Sequence, residues 1–249
     1  MDAILEVRNL SKRFGGVEAV RDVSFDVPRG ALVGLIGPNG AGKTTFVNLV
    51  TKHAAPDAGT VTLDTKPIHR LPSYKVARSG LSRTYQKNRL FTEESVEENI
   101  RTAMIWGGRH GGRDLSYPGC AGDEDARCDA LLEFFDLEAV RGDLPTDLSH
   151  LMRRRAEIAQ ALALGPKVLL LDEPFAGFSR EESFDLIEHL RECQRGGLTM
   201  LLIDHNMEVV MDVCEYLFVM HHGALLVSGT PEEIRANEQV VSIYLGGEH

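Results

Sequence analysis

The first candidate for chemistry is a glycine-rich run with the spacing G-x-x-x-x-G-K-[ST], namely Gly37-Pro38-Asn39-Gly40-Ala41-Gly42-Lys43-Thr44. Glycines let backbone N–H groups wrap around phosphate oxygens, and a helix that begins at the end of the run adds its dipole. The Lys43 ammonium would supply a point charge to the β- and γ-phosphates, and the Thr44 hydroxyl would bind Mg²⁺. The run predicts a phosphate-binding loop, against the alternative of a glycine turn with an incidental lysine.

Two adjacent carboxylates form the second candidate. Asp172 and Glu173 follow the apolar run 168–171, which predicts a buried strand that ends at the pair. There Asp172 can hold the ligand shell of Mg²⁺, and Glu173 can polarise a water molecule for attack on a γ-phosphate. Adjacent acidic residues on a turn are often only solvated, but a phosphate loop in the same chain favours a role in nucleotide hydrolysis.

These groups need strands and helices to position them. Alternating or apolar segments at 4–10, 19–27, 31–36 and 60–63 predict strands, and a helix should span about 43–51. Further along, strands alternate with helices from residue 168 onward, which implies right-handed crossovers and a parallel sheet. We therefore predict an α/β fold: a P-loop core with a largely parallel sheet, an antiparallel N-terminal β layer and a helical insertion.

The organisation expected is a single domain over 1–249. Residues 1–87 and 165–249 would form the core, and residues 88–164, which have helical patterning, would form the helical subdomain. Three S/T-x-x-E patterns, beginning at Ser95, Ser179 and Thr230, predict capping boxes at helix starts.

The composition is that of an ordinary globular protein with an acidic balance. The chain has 249 residues, with 27 Lys and Arg against 37 Asp and Glu, so its formal net charge is −10. Because no surplus of cations is available to neutralise phosphates, a nucleic-acid partner is not expected. No apolar run approaches the ~20 residues of a membrane span, and the N-terminus lacks a signal-peptide pattern. We expect neither secretion nor membrane spanning.

Further segments resemble those of ATP-binding-cassette (ABC) ATPases. Residues 156–174, AEIAQALALGPKVLLLDEP, are similar to the stretch that runs from that family's signature helix into its Walker B strand. Residues 82–86 resemble its Q-loop, residues 202–205 its switch-histidine segment, and Phe14 the aromatic residue that stacks on adenine. The order and spacing hold over essentially the whole chain. Taken alone, Phe14 would be a core aromatic, Gln86 a surface amide and His205 a structural histidine.

The resemblance implies an ATPase that binds ATP and Mg²⁺. Catalysis would involve Glu173, His205 and Gln86, and Mg²⁺ would be bound by Thr44, Gln86 and Asp172. Nucleotide contacts would come from Phe14, Gly37, Pro38, Asn39, Gly40, Ala41, Gly42, Lys43, Thr44 and Thr45. Contacts across a dimer would come from Ser149, His150, Leu151 and Ser179, and the last of these is also a helix cap by pattern.

The chain departs from the family in its signature segment, residues 148–152. The family has Leu-Ser-Gly-Gly-Gln there, and this chain has Leu-Ser-His-Leu-Met. Side chains at His150 and Leu151 should hinder the approach of backbone N–H groups to ATP bound by a partner subunit. Ser179 also stands where many members have Asp. We hypothesise a competent half-site that needs a different partner with an intact signature; the alternative is a homodimer with two slow sites.

The C-terminal stretches 223–234 and 240–246 resemble the ATPases of branched-chain amino-acid importers, as do residues 12–17 and 83–91. Importers of urea and amides share these features. A lipopolysaccharide-export ATPase, which has a sequence like Asp204-His205-Asn206, is a rival interpretation. A soluble ABC protein is a second rival. A GTPase or small-molecule kinase is a third, and the absence of an N-K-x-D guanine motif from the sequence counts against it.

The resemblance also implies partners and a location. Permease transmembrane subunits, a second ATP-binding subunit and an extracytoplasmic substrate-binding protein would complete the system, with this chain peripheral at the cytoplasmic face of the inner or plasma membrane. The helical subdomain would dock the permease. The acidic run 93–98 lies there, and its glutamates either complement the dipole of a first helical turn or contact the permease.

Overall fold

The computed structural model describes residues 2–85, 89–107, 116–119 and 121–245. Contacts divide the chain into two compact units, Met1–Ser73 with Leu201–His249 and Tyr74–Met200, which we call the first and the second unit. The strands are β1 (Ala3–Phe14), β2 (Val17–Pro28), β3 (Leu32–Ile36), β4 (Ala58–Leu63), β5 (Lys66–Pro67), β6 (Leu81–Arg83), β7 (Val168–Asp172), β8 (Thr199–Ile203), β9 (Tyr216–His221) and β10 (Ala224–Gly229). The helices are α1 (Lys43–Val50), α2 (Ser73–Arg78), α3 (Val96–Trp106), α4 (Glu124–Phe134), α5 (His150–Ala163), α6 (Arg180–Arg195), α7 (Met207–Val213), α8 (Pro231–Ala236) and α9 (Glu238–Leu245), with a 3₁₀ turn at Glu138–Val140. Within these described ranges, no helix is long and apolar enough to cross a bilayer.

The first unit contains an antiparallel sheet of order β2-β1-β4-β5. Strand β1 is central, with Leu5 opposite Val27 on β2 and opposite Leu63 on β4. All three side chains are buried, because residues paired across neighbouring strands share one face of the pleated sheet. This sheet is the predicted antiparallel N-terminal layer.

The second sheet has six strands in the order β10-β9-β3-β8-β7-β6. Strands β10, β9 and β3 belong to the first unit. Strand β3 runs parallel to β9, and every residue of β3 is buried, as is typical of parallel strands covered on both faces. Gly34 allows α7 to pack closely on this strand, since a Cβ there would lie 2.5 Å from side-chain atoms of both Val210 and Leu217.

Aromatic rings join the elements of this unit into one core. Phe25 of β2 stacks on Phe218 of β9 with ring centroids 4.1 Å apart, and it lies 5.1 Å from the ring of Phe46 on α1. The antiparallel layer, the parallel strands and the helix after β3 therefore share one apolar interior.

The second unit contains strands β7 and β6 of the six-stranded sheet and the helices α3 to α6. Strands β6 and β7 are parallel, with Leu81 opposite Val168. The segment 88–164, predicted to be helical, lies within this unit. The predicted fold class is confirmed: a mixed α/β protein with a largely parallel sheet and a separate antiparallel sheet.

All three predicted capping boxes form. The Ser95, Ser179 and Thr230 side chains each accept a hydrogen bond from the backbone of the glutamate three positions later, and each glutamate carboxylate returns to the N-cap amide. These boxes satisfy amides that the first helical turn leaves without an intrahelical partner.

The acidic first turn of α3 also ties neighbouring elements together. The Glu97 carboxylate accepts hydrogen bonds from Arg141 at 2.8 Å and from Arg101 at 2.9 Å. The hydrogen bonds from Arg141 and Arg101 lower the pKa of Glu97 to about 2. Within the acidic run, Glu97 is thus a structural residue.

We expect Glu97→Gln to lower the free energy of unfolding by about 1 kcal/mol at pH 7, a modest value because water screens partly exposed ion pairs. The folded state has the lower pKa, so the contribution of Glu97 is complete above the unfolded pKa of about 4.3. It is lost as the pH falls through about 2. Urea unfolding at pH 7 and at low pH measures both effects, with Glu93→Gln as the control. An equal loss at both pH values would contradict the assignment.

Candidate nucleotide-binding site

The phosphate loop, residues 37–44, joins β3 to α1 in the first unit. Gly37 has φ 155° and Gly42 has φ 99°, a backbone region that favours glycine. A Cβ on Gly37 would lie 2.3 Å from the Met220 carbonyl oxygen, and one on Gly42 would lie 2.3 Å from the Ala19 carbonyl oxygen. No side-chain hydrogen bond caps α1. The loop therefore offers backbone N–H groups to an anion.

Lys43 places its ammonium against the same loop. Nζ donates hydrogen bonds to the Gly37 carbonyl oxygen at 2.6 Å and to the Pro38 carbonyl oxygen at 3.1 Å, and the residue is buried. Thr44 beside it is exposed on the first turn of α1. A backbone cradle with a buried ammonium and an exposed hydroxyl fits a polyphosphate and an oxygen-coordinated metal ion.

Gly223, from the C-terminal part of the chain, supports the loop, and sequence reasoning did not assign it this role. The Gly223 N–H donates to the Ala41 carbonyl oxygen at 3.0 Å, and the Gly223 carbonyl oxygen accepts from the Arg21 N–H at 2.7 Å. The only sequence signal was the resemblance of this C-terminal stretch to importer ATPases.

Phe14 ends β1 in the first unit. Its side chain is 53% exposed, so the ring is not part of the core. The Lys12 ammonium lies 5.4 Å from the ring centroid and is held by Asp57 at 2.7 Å. An exposed ring at the end of a rigid strand can stack on a planar base, and a neighbouring cation adds a cation–π contact.

His205 follows β8 in the first unit, and hydrogen bonds to the Asp204 side chain hold the turn on which it lies. The buried Asp204 carboxylate accepts hydrogen bonds from the backbone N–H groups of His205 at 2.7 Å and of Asn206 at 2.9 Å. The same oxygen lies 3.5 Å from Nδ1 of His205, whose side chain is 55% exposed. The carboxylate thus holds the turn and leaves the imidazole accessible to a ligand.

Asp172 ends β7 in the second unit, where it is buried. Its Oδ2 accepts a hydrogen bond from the Arg83 guanidinium at 2.7 Å, and its backbone N–H donates to the Thr84 hydroxyl at 3.3 Å. The ion pair compensates the charge of the buried carboxylate, since an unpaired charge would be too costly there. Sequence reasoning gave Arg83 no such role, because its partner is 89 residues away along the chain.

Glu173 adopts a left-handed backbone conformation with φ 49°. Residues other than glycine rarely adopt this region, and such strain is concentrated at functional sites. The Glu173 carbonyl oxygen accepts a hydrogen bond from the Ala176 N–H at 3.3 Å, which closes a turn directly after the strand.

Gln86 lies outside the described residues, but the residue before it is firmly held. The Tyr85 N–H donates to Glu157 at 3.0 Å, and the Tyr85 carbonyl oxygen accepts from Arg154 at 3.1 Å. Arg154 and Glu157 form a buried ion pair at 2.7 Å. Burial raises the pKa of Glu157, and Arg154 opposes that effect. Helix α5 thereby fixes the chain that leads to Gln86.

The signature segment begins α5. Ser149 is the N-cap and accepts a hydrogen bond from the Met152 N–H at 3.2 Å. His150 Nε2 lies 2.9 Å from the Ala176 carbonyl oxygen, while Leu151 is half-buried. Ser179 caps α6. These are contacts within the chain, and the dimer contacts expected of the four residues stay a prediction.

Each unit carries part of the predicted site. The first unit contains the phosphate loop, Thr45, Phe14 and His205, and the second contains Asp172, Glu173 and the signature segment. Within the described part of the chain, no group of three or more His, Cys, Asp or Glu side chains could hold a metal ion.

Comparisons with known proteins agree with this chemistry. Residues 20–176 match the family described as ABC transporter, and residues 224–249 match the family described as branched-chain amino acid ATP-binding cassette transporter. The lipopolysaccharide export ATP-binding protein LptB of Escherichia coli strain K12 is 40% identical over 247 residues, with 98% of each chain covered. The high-affinity branched-chain amino acid transport protein LivG of Salmonella typhimurium is 37% identical over 249 residues, again with 98% of each covered.

A solved structure shares the whole fold. The ADP conformation of MJ1267, an ATP-binding cassette of an ABC transporter, superposes with a TM-score of 0.86 at 28% identity, covering 99% of this chain and all of that one. With the matched family spanning more than half of the residues, the chain belongs to the ABC transporter family and is an ATP-binding ATPase subunit of that family.

Proposed function

We propose that this ATPase powers the import of branched-chain or related amino acids. The match of the C-terminal residues 224–249 to the branched-chain amino acid cassette family carries the proposal. Urea or amide import is the alternative within the same group. Lipopolysaccharide export is the second candidate, because the relative that serves it is about as similar overall as the amino-acid transport relative.

In the proposed mechanism, adenine stacks on Phe14 and the phosphates lie against the backbone N–H groups of residues 37–45. Lys43 exchanges its hydrogen bonds with the Gly37 and Pro38 carbonyls for phosphate oxygens. The exchange replaces neutral acceptors by charged ones and so favours bound nucleotide.

Mg²⁺ fits the oxygen donors present, and the residues expected to hold it are Thr44, Asp172 and Gln86. When bound, it supplies positive charge that offsets the charge of the phosphates. The Arg83 guanidinium holds Asp172 through Oδ2, and Oδ1 lies outside that contact.

Hydrolysis needs a base and an oriented water molecule. Glu173 accepts a proton from the water as its oxygen bonds to the γ-phosphorus, and the bond to the bridging β,γ-oxygen breaks to give ADP and phosphate. His205 donates a hydrogen bond to the γ-phosphate, and Gln86 senses the same group. The strained backbone at Glu173 and the setting of His205 by Asp204 support these assignments.

The partners proposed are permease subunits, a second ATP-binding subunit and an extracytoplasmic substrate-binding protein. Large apolar side chains are exposed in the second unit at Phe91, Ile105 and Trp106, with exposures of 51%, 69% and 71%. Exposed apolar side chains of this size are typical of protein contact sites. They support permease docking on α3 and the segment before it, at the cytoplasmic face of the membrane.

Lys43→Ala should weaken ATP binding by at least about tenfold, since a charge-assisted contact with phosphate is lost. Glu173→Gln should bind ATP within a few-fold of the parent and hydrolyse it roughly 10²-fold more slowly, because the base is removed. Titration with a fluorescent ATP analogue and a phosphate-release assay separate the two effects. Undiminished turnover in Glu173→Gln would refute the catalytic assignment.

The substituted signature supports a hetero-oligomer in which this chain supplies one competent half-site. We expect slow ATP hydrolysis by the chain alone and at least about tenfold faster hydrolysis with a second ATP-binding subunit that has the Leu-Ser-Gly-Gly-Gln signature. Steady-state ATPase rates of each subunit and of the mixture measure this. Brisk hydrolysis by this chain alone would exclude the half-site arrangement.

For the cargo, affinity purification from membranes should recover the permease and the second ATPase. The purified complex in vesicles should hydrolyse ATP several-fold faster with binding protein loaded with leucine or valine than with empty binding protein. Urea, short amides and lipopolysaccharide serve as the comparison ligands. Stimulation by one of these instead of the amino acids would assign the cargo to the corresponding alternative.

A further inference from the structure

His150 stands where the family has a signature glycine, and its side chain does not point along its own helix. Nε2 of His150 lies 2.9 Å from the carbonyl oxygen of Ala176, 26 residues away in the chain. The imidazole also meets the Phe178 ring edge-to-face, with centroids 5.2 Å apart and an interplanar angle of 75°. Both contacts are with loop 173–179, which follows β7.

Loop 173–179 starts at Glu173 and is built from tight turns. The Ala176 N–H donates to the Glu173 carbonyl oxygen at 3.3 Å, and the Phe178 N–H donates to the Phe175 carbonyl oxygen at 3.1 Å. Gly177 has φ 81°, and a Cβ there would lie 3.4 Å from Nε2 of His150, in van der Waals contact. The imidazole therefore lies directly along the loop backbone.

Ala176 connects the histidine to Glu173. Its N–H closes the turn that Glu173 begins, and its carbonyl oxygen accepts from His150. A carbonyl oxygen only accepts hydrogen bonds, so Nε2 must carry the hydrogen. The strained conformation of Glu173 needs surrounding contacts to persist, and the hydrogen bond from α5 is one of them.

We propose that His150 is a positioning residue that tethers loop 173–179 to α5 and so holds Glu173 in its strained conformation. The inference rests on the catalytic role proposed for Glu173. It gives the substituted signature position a function within its own chain, in addition to any effect on a partner's nucleotide.

Three substitutions in the full-length chain separate the contributions of His150. His150→Phe keeps a ring against Phe178 and removes the donor, and His150→Gly removes both contacts. His150→Gln keeps a side-chain N–H donor of similar reach. His69→Phe makes the same chemical change in the first unit and is the matched control.

Hydrogen exchange of the Ala176 and Phe178 amides, followed by mass spectrometry or NMR, reports the tether directly. We expect exchange to rise about fivefold in His150→Phe and more in His150→Gly, since one hydrogen bond restrains the turn. His150→Gln should stay near the parent, and the control should be unchanged. Unaltered exchange in both His150→Phe and His150→Gly would overturn the tether.

ATP turnover of the chain in its transporter complex tests the positioning role. We expect kcat to fall several-fold in His150→Phe and His150→Gly with KM for ATP little changed, and to recover in His150→Gln. A histidine that only obstructs the signature would give the opposite result, because His150→Gly restores the family residue and kcat would rise. Unchanged kcat in His150→Phe, which removes the donor and leaves the signature position substituted, overturns the positioning role.

The two proposals can fail separately. Intact turnover in Glu173→Gln would refute the catalytic role of Glu173. The hydrogen-exchange rates of the amides in loop 173–179 would still test whether His150 tethers the loop. Thermal unfolding of each His150 variant identifies any that lose kcat by failing to fold.

Discussion

A loop that binds phosphate through its backbone must keep side chains away from the amides, and the first unit is built around that requirement. The carbonyl oxygen of Met220 approaches residue 37, and that of Ala19 approaches residue 42, so closely that only glycine fits. The Gly223 N–H holds the loop from the turn after β9, and Lys43 is buried against the loop carbonyls. Strands from both ends of the chain therefore converge on one short turn, and its geometry depends on their pairing.

In the second unit, buried ion pairs position the groups of the predicted site. Arg83 pairs with Asp172, and Arg154 pairs with Glu157. Burying such pairs gains little net stability, because desolvation offsets most of their attraction. Each pair instead orients a group next to the predicted site. One holds the carboxylate at the end of β7, and the other fixes the Tyr85 backbone directly before Gln86. Hydrophobic residues of equal volume could replace the packing of these pairs and would lose that orientation.

In the signature segment, His150 has a different significance in the sequence and in the fold. From the sequence, a histidine in place of glycine is an obstacle to a partner's nucleotide. In the fold, the imidazole is directed to the Ala176 carbonyl oxygen and the Phe178 ring, both in the loop that Glu173 begins. Ser149 caps α5 with a histidine beside it, so the helix start forms here without the glycine. Ser179 likewise has a role within its own chain, as the N-cap of α6 in a capping box with Glu182.

Local patterns in the sequence were sufficient for the phosphate loop, the carboxylate pair after β7, the three capping boxes and the α/β fold class. Each depends on residues a few positions apart, whose backbone preferences and hydrogen bonds are set by neighbours in the chain. The tertiary structure alone decided the ion pair of Arg83 with Asp172, the support of Ala41 by Gly223 and the contact of His150 with Ala176. The edge strand β10, paired antiparallel to β9, was likewise not apparent from patterning. The contacts of Arg83, Gly223 and His150 join residues 26 to 182 positions apart. No local propensity encodes which distant carbonyl or carboxylate a donor will reach.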